Sequence, residues 1–191
     1  GRCRARKNEQ GRIVSVNYGK VTALALDPIE KKPLRQFYPG SKILSVGSFG
    51  CNLSCPFCQN HEISMHGEQA ADHVEMTPLQ LADLAEEMQK RGNIGVAYTY
   101  NEPLIGHEFV RDCAAIVHAR GMKNVVVTNG SVQLEILEAL LPDIDAMNID
   151  LKGFTAAHYQ RLGGDLHTVQ EFIARAARST HVEVTTLIVP G

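Results

Sequence analysis

The stretch CNLSCPFCQN, residues 51–60, places three thiols close together at Cys51, Cys55 and Cys58. Thiolates are soft ligands that suit zinc or iron–sulfur clusters. Structural zinc normally takes four protein ligands, but the spacing C-x3-C-x2-C has no fourth cysteine nearby, since Cys3 and Cys113 are remote. Two simpler readings stand beside a cluster. His61 could complete a zinc site, and Cys55-Pro56-Phe57-Cys58 resembles a redox C-x-x-C pair. The redox reading leaves Cys51 without a task. Three cysteines holding four irons would keep one iron open to an outside ligand, so the absent fourth thiol would be a coordination site kept free for chemistry.

Three further polar motifs follow short apolar runs. Thr99-Tyr100-Asn101-Glu102-Pro103 follows Ile94 to Tyr98, Thr128-Asn129-Gly130 follows Asn124 to Val127, and Asp150-Leu151-Lys152 closes Ala146 to Asp150. The cysteines themselves follow Lys42 to Val46 and a glycine-spaced loop. Asp150 and Lys152 alternate to one side of their strand, so both can face one site. Each motif also has a purely structural reading. Glu102 before Pro103 fits a helix-entry carboxylate, Ser131 after Thr128-Asn129-Gly130 fits a helix cap, and Asp150 with Lys152 fits a surface ion pair.

The elements that must position these motifs alternate along the chain. Val21 to Asp27 is strand-like and is broken by two prolines in DPIEKKP. Lys42 to Val46 is the first of five buried strands, and His181 to Val189 is the fifth. Thr77 caps a helix with Pro78 at its first position and Gln80 three residues on, and Gly92 stops it. Further helices are expected over about 105–120, 132–141 and 166–178. Strands alternating with helices predict stacked βαβ units and a parallel sheet. In a barrel every strand's C-terminal end converges on one face; in an open sheet only those beside the switch point do. Four consecutive strand ends carrying polar motifs favour barrel curvature. The fold class expected is α/β, a partial (β/α) barrel over residues 42–191 behind an N-terminal extension over 1–41.

Composition narrows the function classes. The 191 residues are 44% hydrophobic and 21% charged with a net charge of −2, which fits a globular protein and gives no general pull toward nucleic acid or membrane. No stretch approaches the ~20 apolar residues of a membrane helix, and no signal peptide is visible. Arg2, Arg4, Arg6, Lys7, Arg12 and Lys20 face only Glu9; without interleaved aromatics this arm reads as a solvated tail. An odd cysteine count with three clustered points to a reducing compartment, the cytoplasm, rather than a disulfide framework. Cys113 lies beside Ala114, Ala115 and Ile116 and reads as a core residue. Cys3 could ligate a second metal with cysteines upstream, and His61 and His66 read as loop residues.

The cysteine motif with an aromatic residue before its third Cys, in the loop after the first barrel strand, resembles the radical S-adenosylmethionine (SAM) superfamily. GSFGCNLSCPFCQNHEIS, AYTYNEPL, VVVTNG, NIDLKGF and HVEVTTLIVPG together resemble its activating-enzyme branch, whose type member activates pyruvate formate-lyase. The run DPIEKKPLRQFYPGS is similar to the AmmeMemoRadiSam system group of that superfamily. The resemblance implies that Cys51, Cys55 and Cys58 hold a [4Fe-4S] cluster whose fourth iron is chelated by SAM. One electron passed to the sulfonium would release methionine and a 5'-deoxyadenosyl radical for hydrogen abstraction. Phe57 would lie against the adenine. Tyr100-Asn101-Glu102 stands where the family has Gly-Gly-Glu, with Glu102 accepting from the SAM amine, and Lys152 would meet the SAM carboxylate. Thr128 and Asp150, with Asn129 beside Thr128, match positions around a cation near SAM, although a carboxylate of that site aligns with Val127 here.

The resemblance further implies an electron donor of the flavodoxin or ferredoxin type and a protein substrate, activated by glycyl hydrogen abstraction. Radical chemistry on another protein or a small molecule is the alternative, with a non-enzymatic zinc or redox module as the competing class. The superfamily core has six strands, so a sixth strand and a C-terminal segment are expected beyond Gly191, or a partner that covers the open edge of the fifth strand.

Overall fold

Strand order decides between the two architectures. The structure, a computed structural model, describes residues 2–68 and 71–188. In chain order the elements are β1 (Arg6–Glu9), β2 (Arg12–Ser15), β3 (Lys20–Val21), β4 (Ala23–Pro28), β5 (Lys42–Gly47), α1 (His61–Ser64), β6 (Val74–Glu75) and α2 (Pro78–Glu87). Then come β7 (Asn93–Tyr98), α3 (His107–Ala119), β8 (Lys123–Thr128), α4 (Leu134–Leu140), β9 (Ala146–Asp150), α5 (Ala156–Leu162), α6 (Leu166–Ala176) and β10 (His181–Thr185). The main sheet runs β10-β9-β8-β7-β5-β4. From β5 to β10 the strands are parallel and stand in chain order with no reversal. A doubly wound sheet reverses at a switch point; a sheet that advances in one direction is a partial (β/α) barrel.

Local chemistry accounts for most element ends. Thr77 and Gln80 form the expected capping box at α2, with Pro78 at its first position. Thr155 caps α5 and Asp165 caps α6 by accepting from the amide three residues on. One face of the sheet packs Leu44, Val96, Val126 and Met147 against Leu81, Val117, Leu137 and Phe172 of the helices. Cys113 lies in this core, fully buried as expected. Among the described residues no helix is long and apolar enough to cross a membrane.

The sequence reading needs four corrections here. The basic arm is not a solvated tail. It folds into the β1–β2 hairpin, turned by Gln10 and Gly11, both with positive φ. Ala5 is fully buried, and Arg6 donates from Nε to the Ile105 carbonyl at 2.7 Å and from Nη2 to Glu108 at 2.7 Å. Arg6 finds no such partner among its neighbours in sequence, because both acceptors lie about a hundred residues away, while Arg2, Arg4, Lys7 and Arg12 do stay exposed. Second, α5 was missed, being a seven-residue helix between two glycine-bearing turns. Third, Ser131 does not cap α4, whose capping position is Gln133. Fourth, the last strand ends at Thr185; Leu187 and Ile188 lie past it, and Val189 falls outside the described residues.

Residues before β5 complete the sheet and fill its concave side. β4 pairs antiparallel with β5, from Ala23 opposite Gly47 to Pro28 opposite Lys42. It lies at the edge opposite β10. The chain then turns under the barrel, where Ile29, Leu34 and Phe37 pack on Ile43, Ala97, Val125 and Ala146. Above this apolar floor sits a buried ion pair. Lys32 is 2% exposed and donates to Asp27 Oδ2 at 2.9 Å. The same oxygen accepts from Tyr100 Oη at 2.6 Å, and Lys31 donates to Oδ1 at 3.2 Å. Burial alone would raise the Asp27 carboxyl, but the bonds from Tyr100 and Lys32 hold it well below the usual range. Burial pushes the Lys32 ammonium down, with Asp27 opposing. Both shifts are downward, which favours the charge on Asp27 and opposes that on Lys32, because Asp27 gathers three donors whereas Lys32 Nζ bonds to one acceptor among the described residues.

Two outcomes follow. Leu34→Ala should lower stability by about 2–5 kcal/mol, as a buried leucine in a filled interior does, whereas Phe154→Ala, at a site 72% exposed, should stay within about 0.5 kcal/mol. Asp27→Asn leaves Lys32 buried without a counter-charge and should cost about 3–5 kcal/mol at pH 7. A depressed carboxyl contributes its stability above its unfolded value, about pH 4, and loses it as pH falls through the folded one. The urea-midpoint gap between the native chain and Asp27→Asn should therefore be full at pH 7 and narrow steadily below about pH 4. A gap independent of pH would show that the pair is not ionised.

Candidate functional site

The cysteine loop leaves β5 through Ser48-Phe49-Gly50. Gly50 has φ +87°, and a Cβ there would lie 2.4 Å from the Cys3 carbonyl oxygen and 2.9 Å from Ala5 Cβ. The glycine therefore permits both the turn and the close passage of the N-terminal segment. The loop is tied down along its length. Gly50 N donates to Ile63 O at 2.8 Å, Asn52 Nδ2 to Ser131 O at 2.6 Å, and Ser54 N to Leu162 O at 2.8 Å. Asn60 Nδ2 donates to Tyr100 O at 2.7 Å.

Cys51, Cys55 and Cys58 are half-buried, and all five cysteines are free thiols. Cys51 Sγ accepts from Leu53 N at 3.4 Å and from Asn129 Nδ2 at 3.7 Å. Burial pushes the Cys51 thiol up to about 12, with the Glu102 charge adding to it. Burial also raises Cys55, which Lys152 pulls back. A bound metal displaces such protons and supplies the positive charge the pocket lacks. Among the described residues, no three His, Cys, Asp or Glu side chains converge on one metal-ion position. Zinc requires its sulfurs about 2.3 Å from one centre. An iron–sulfur cluster spreads its thiolates over separate irons, and three soft donors with N–H groups aimed at one sulfur fit that chemistry.

Glu102 is 3% exposed and lies at the mouth of β7. Its Oε1 accepts from Leu104 N at 3.0 Å and Thr128 Oγ1 at 2.7 Å, and its Oε2 from Asn129 N at 2.8 Å. Burial raises its carboxyl above the usual range, and these three donors and Lys152 offset only part of that rise. The helix-entry reading is thus realised, since Glu102 caps the 3₁₀ turn Pro103–Gly106. The same carboxylate also joins the end of β7 to the end of β8. A carboxylate offers about four acceptor positions, so among the described residues one on Oε2 stays open.

Asn101 is fixed from the other side. Its Oδ1 accepts from Ser48 N at 3.0 Å, and its Nδ2 donates to the carbonyls of Phe49 and Gly50, each at 3.2 Å. Tyr100 has φ +72°, a left-handed conformation that costs a non-glycine residue about 1–2 kcal/mol. Its side chain runs down into the barrel to Asp27. Asn129 bridges the motifs, donating from Nδ2 to Asn52 Oδ1 at 2.9 Å as well as toward Cys51.

Lys152 Nζ donates to Asp150 Oδ2 at 2.7 Å, and both side chains are partly buried. Burial opposes the Lys152 charge, but Asp150, Cys55 and Glu102 together raise its pKa. Tyr159 Oη accepts from Lys152 N at 3.0 Å, so α5 supports this end of β9. One mouth of the barrel therefore gathers Cys51, Cys55, Tyr100, Asn101, Glu102, Thr128, Asn129, Asp150 and Lys152. Cys58 and Phe57 lie on the same loop and are half-buried. Among the described residues no side-chain hydrogen bond or ring contact ties Phe57 to the rest. Asn52, Asn60 and Tyr159 were not singled out from the sequence. An asparagine signals its role only once its partner carbonyl is placed.

Comparisons with known proteins agree with this geometry. Residues 45–191 match the profile of the Radical SAM superfamily. An uncharacterized protein of Methanocaldococcus jannaschii is 41% identical over 192 aligned residues, covering 100% of this chain and 56% of its own length. Pyruvate formate-lyase 1-activating enzyme of Escherichia coli is 28% identical over 80% of this chain and 63% of its own. The chain thus spans roughly three-fifths of these curated relatives. The solved structure of TYW1 with a lysine-pyruvate adduct bound superposes on 85% of this chain and 64% of that one with a TM-score of 0.55 at 16% identity, a likeness of fold. Strand order, the cysteine loop at the first barrel strand's C-terminal end and the profile match agree: the chain belongs to the radical SAM superfamily, whose members are enzymes.

Proposed function

We propose that this chain carries the SAM-cleaving machinery of an activating-type radical SAM enzyme. The carrying observation is one hydrogen-bonded path: Asn129 reaches Cys51 with its side chain and Glu102 with its backbone N–H. A ligand bound to a cluster on Cys51, Cys55 and Cys58 would therefore meet an anionic acceptor fixed by the same residue. When bound, a [4Fe-4S] cluster and SAM supply a one-electron cleavage that yields a 5'-deoxyadenosyl radical.

The chain's own residues bind and orient. Glu102 offers its open acceptor position to the SAM ammonium, which offsets the burial of the carboxylate. Thr128 fixes the orientation of that carboxylate. Lys152 presents an ammonium to the SAM carboxylate, and Asp150 keeps it charged and aimed. Phe57 lies against the adenine by side chain or backbone. Tyr100 and Asn101 replace two glycines, so their backbone is fixed by side-chain bonds that glycine lacks. Leu53 N–H and the Asn129 amide stabilise negative charge on Cys51.

The substrate we propose is a protein whose glycyl C–H is exposed to the radical, with an electron donor of the flavodoxin or ferredoxin type, in the cytoplasm. The similarity to the E. coli activating enzyme supports this. Ile29, Leu34 and Phe37 fill part of the barrel interior, which supports approach of a peptide from the mouth that holds the site.

Anaerobic reconstitution of the longest natural form should give about four irons per chain with matching acid-labile sulfide. Cys51→Ala, Cys55→Ala or Cys58→Ala should abolish stable loading, and Cys113→Ala should not. Dithionite and SAM should then yield 5'-deoxyadenosine; a cluster-loaded protein that produces none rejects the radical chemistry. Lys152→Met should keep its iron and raise the KM for SAM about tenfold, the loss of one charge-assisted contact. An unchanged KM would remove Lys152 from the SAM site.

A further inference from the structure

The Tyr100 side chain joins two parts of the molecule that chain order keeps apart. Its backbone lies in the mouth of the barrel, one residue from Asn101 and two from Glu102. Its phenol reaches the interior and donates to Asp27 Oδ2 at 2.6 Å. Lys32 Nζ bonds to the same oxygen at 2.9 Å and stands 4.5 Å from the centre of the Tyr100 ring. The ring is thus held by a hydrogen bond at its tip and a cation over its face.

Room for the ring is built into β5. A Cβ on Gly47 would come within 2.8 Å of Tyr100 Cδ2 and 3.0 Å of Tyr100 Cβ. Glycine there leaves the space that the tyrosine takes. The other end of Tyr100 touches the cysteine loop, where its carbonyl accepts from Asn60 Nδ2 at 2.7 Å, two residues past Cys58. A left-handed backbone at a tyrosine persists only where its surroundings over-determine it. Here the surroundings are Asp27, Lys32, Gly47 and Asn60.

We propose that Tyr100 is a positioning residue: anchored on Asp27 and Lys32 inside the barrel, it fixes the segment that links the cysteine loop at Asn60 to the SAM-amine acceptor Glu102. The effect on SAM rests on the reading of the site given above; the hold on the segment does not. The anchor comes from residues 27–32, before the first parallel strand, so the N-terminal extension sets the geometry of a site it does not line.

Tyr100→Phe keeps the ring and the cation over it and removes the hydroxyl that bonds Asp27. Gly47→Ala presses on the same ring from β5, and on the Thr99 carbonyl oxygen at 3.0 Å, without touching Asp27, so Tyr100→Phe carries the decision where the two variants differ. In both variants, amide exchange should quicken in residues 99–104 and 58–62 and stay unchanged in α2 and α3. In cluster-loaded protein both should retain full iron content and raise the KM for SAM about tenfold, with kcat within about twofold, as a loss of ground-state binding does. Exchange at native rates in both segments overturns the proposal, whatever the enzyme does with SAM. Quickened exchange with native KM overturns the link from Tyr100 to the SAM acceptor. If the native protein makes no 5'-deoxyadenosine, the SAM reading fails, while the exchange rates still decide whether Tyr100 holds the segment.

Discussion

The buried carboxylate of Glu102 is the constraint on which the site depends. A charge 3% exposed persists only if its surroundings replace the water it has lost. Two backbone amides and one hydroxyl do so, drawn from the turn after β7 and the end of β8. Meeting that demand brings the two strand ends together in one relative position. Asn129, recruited by its backbone to Glu102, then has its side chain placed against Cys51 and Asn52. A node that satisfies its own burial thus also arranges the residues around it.

Parallel strands in unbroken order make such a node available. The connections that leave β5, β7, β8 and β9 start at the same rim, so four loops meet there. The cost is an interior that must be filled. In a closed eight-stranded barrel, layers of strand side chains fill it; here Ile29, Leu34 and Phe37 supply part of the packing from outside the parallel strands. The segment that stabilises the barrel also carries Asp27 and Lys32, so packing and site geometry are coupled through residues 27–37.

Sequence reading reached the parallel strands, the capping box at Thr77 and Gln80, and the polar residues at four strand ends, because each has a local signature. Apolar runs bounded by glycine mark strands, and S/T-x-x-E/Q-type spacing marks a helix start. It failed where a residue's partner is remote. Arg6 of the first hairpin looked solvated because Ile105 and Glu108 lie far along the chain. The charges in DPIEKKP looked like punctuation because Asp27 meets Tyr100 across 73 residues. Glu102 is legible in sequence as a helix-entry carboxylate, but not as the carboxylate joining β7 to β8, since Thr128 and Asn129 join it only once both strands are placed.

The tyrosine at position 100 shows why departure from a glycine pattern need not weaken a site. Two glycines would adopt the required backbone without strain, yet each brings the flexibility that folding must remove. A tyrosine in the left-handed region adds strain of about 1–2 kcal/mol. Its hydrogen bond to an ionised carboxylate contributes about 1.5–3 kcal/mol, and the buried ring adds packing against β5. The balance favours the tyrosine only while Asp27 stays charged and Gly47 stays bare. Flexibility is thereby exchanged for a dependence on Asp27, Lys32 and Gly47, and the geometry of Asn101 and Glu102 becomes a property of the whole barrel rather than of the loop that carries them.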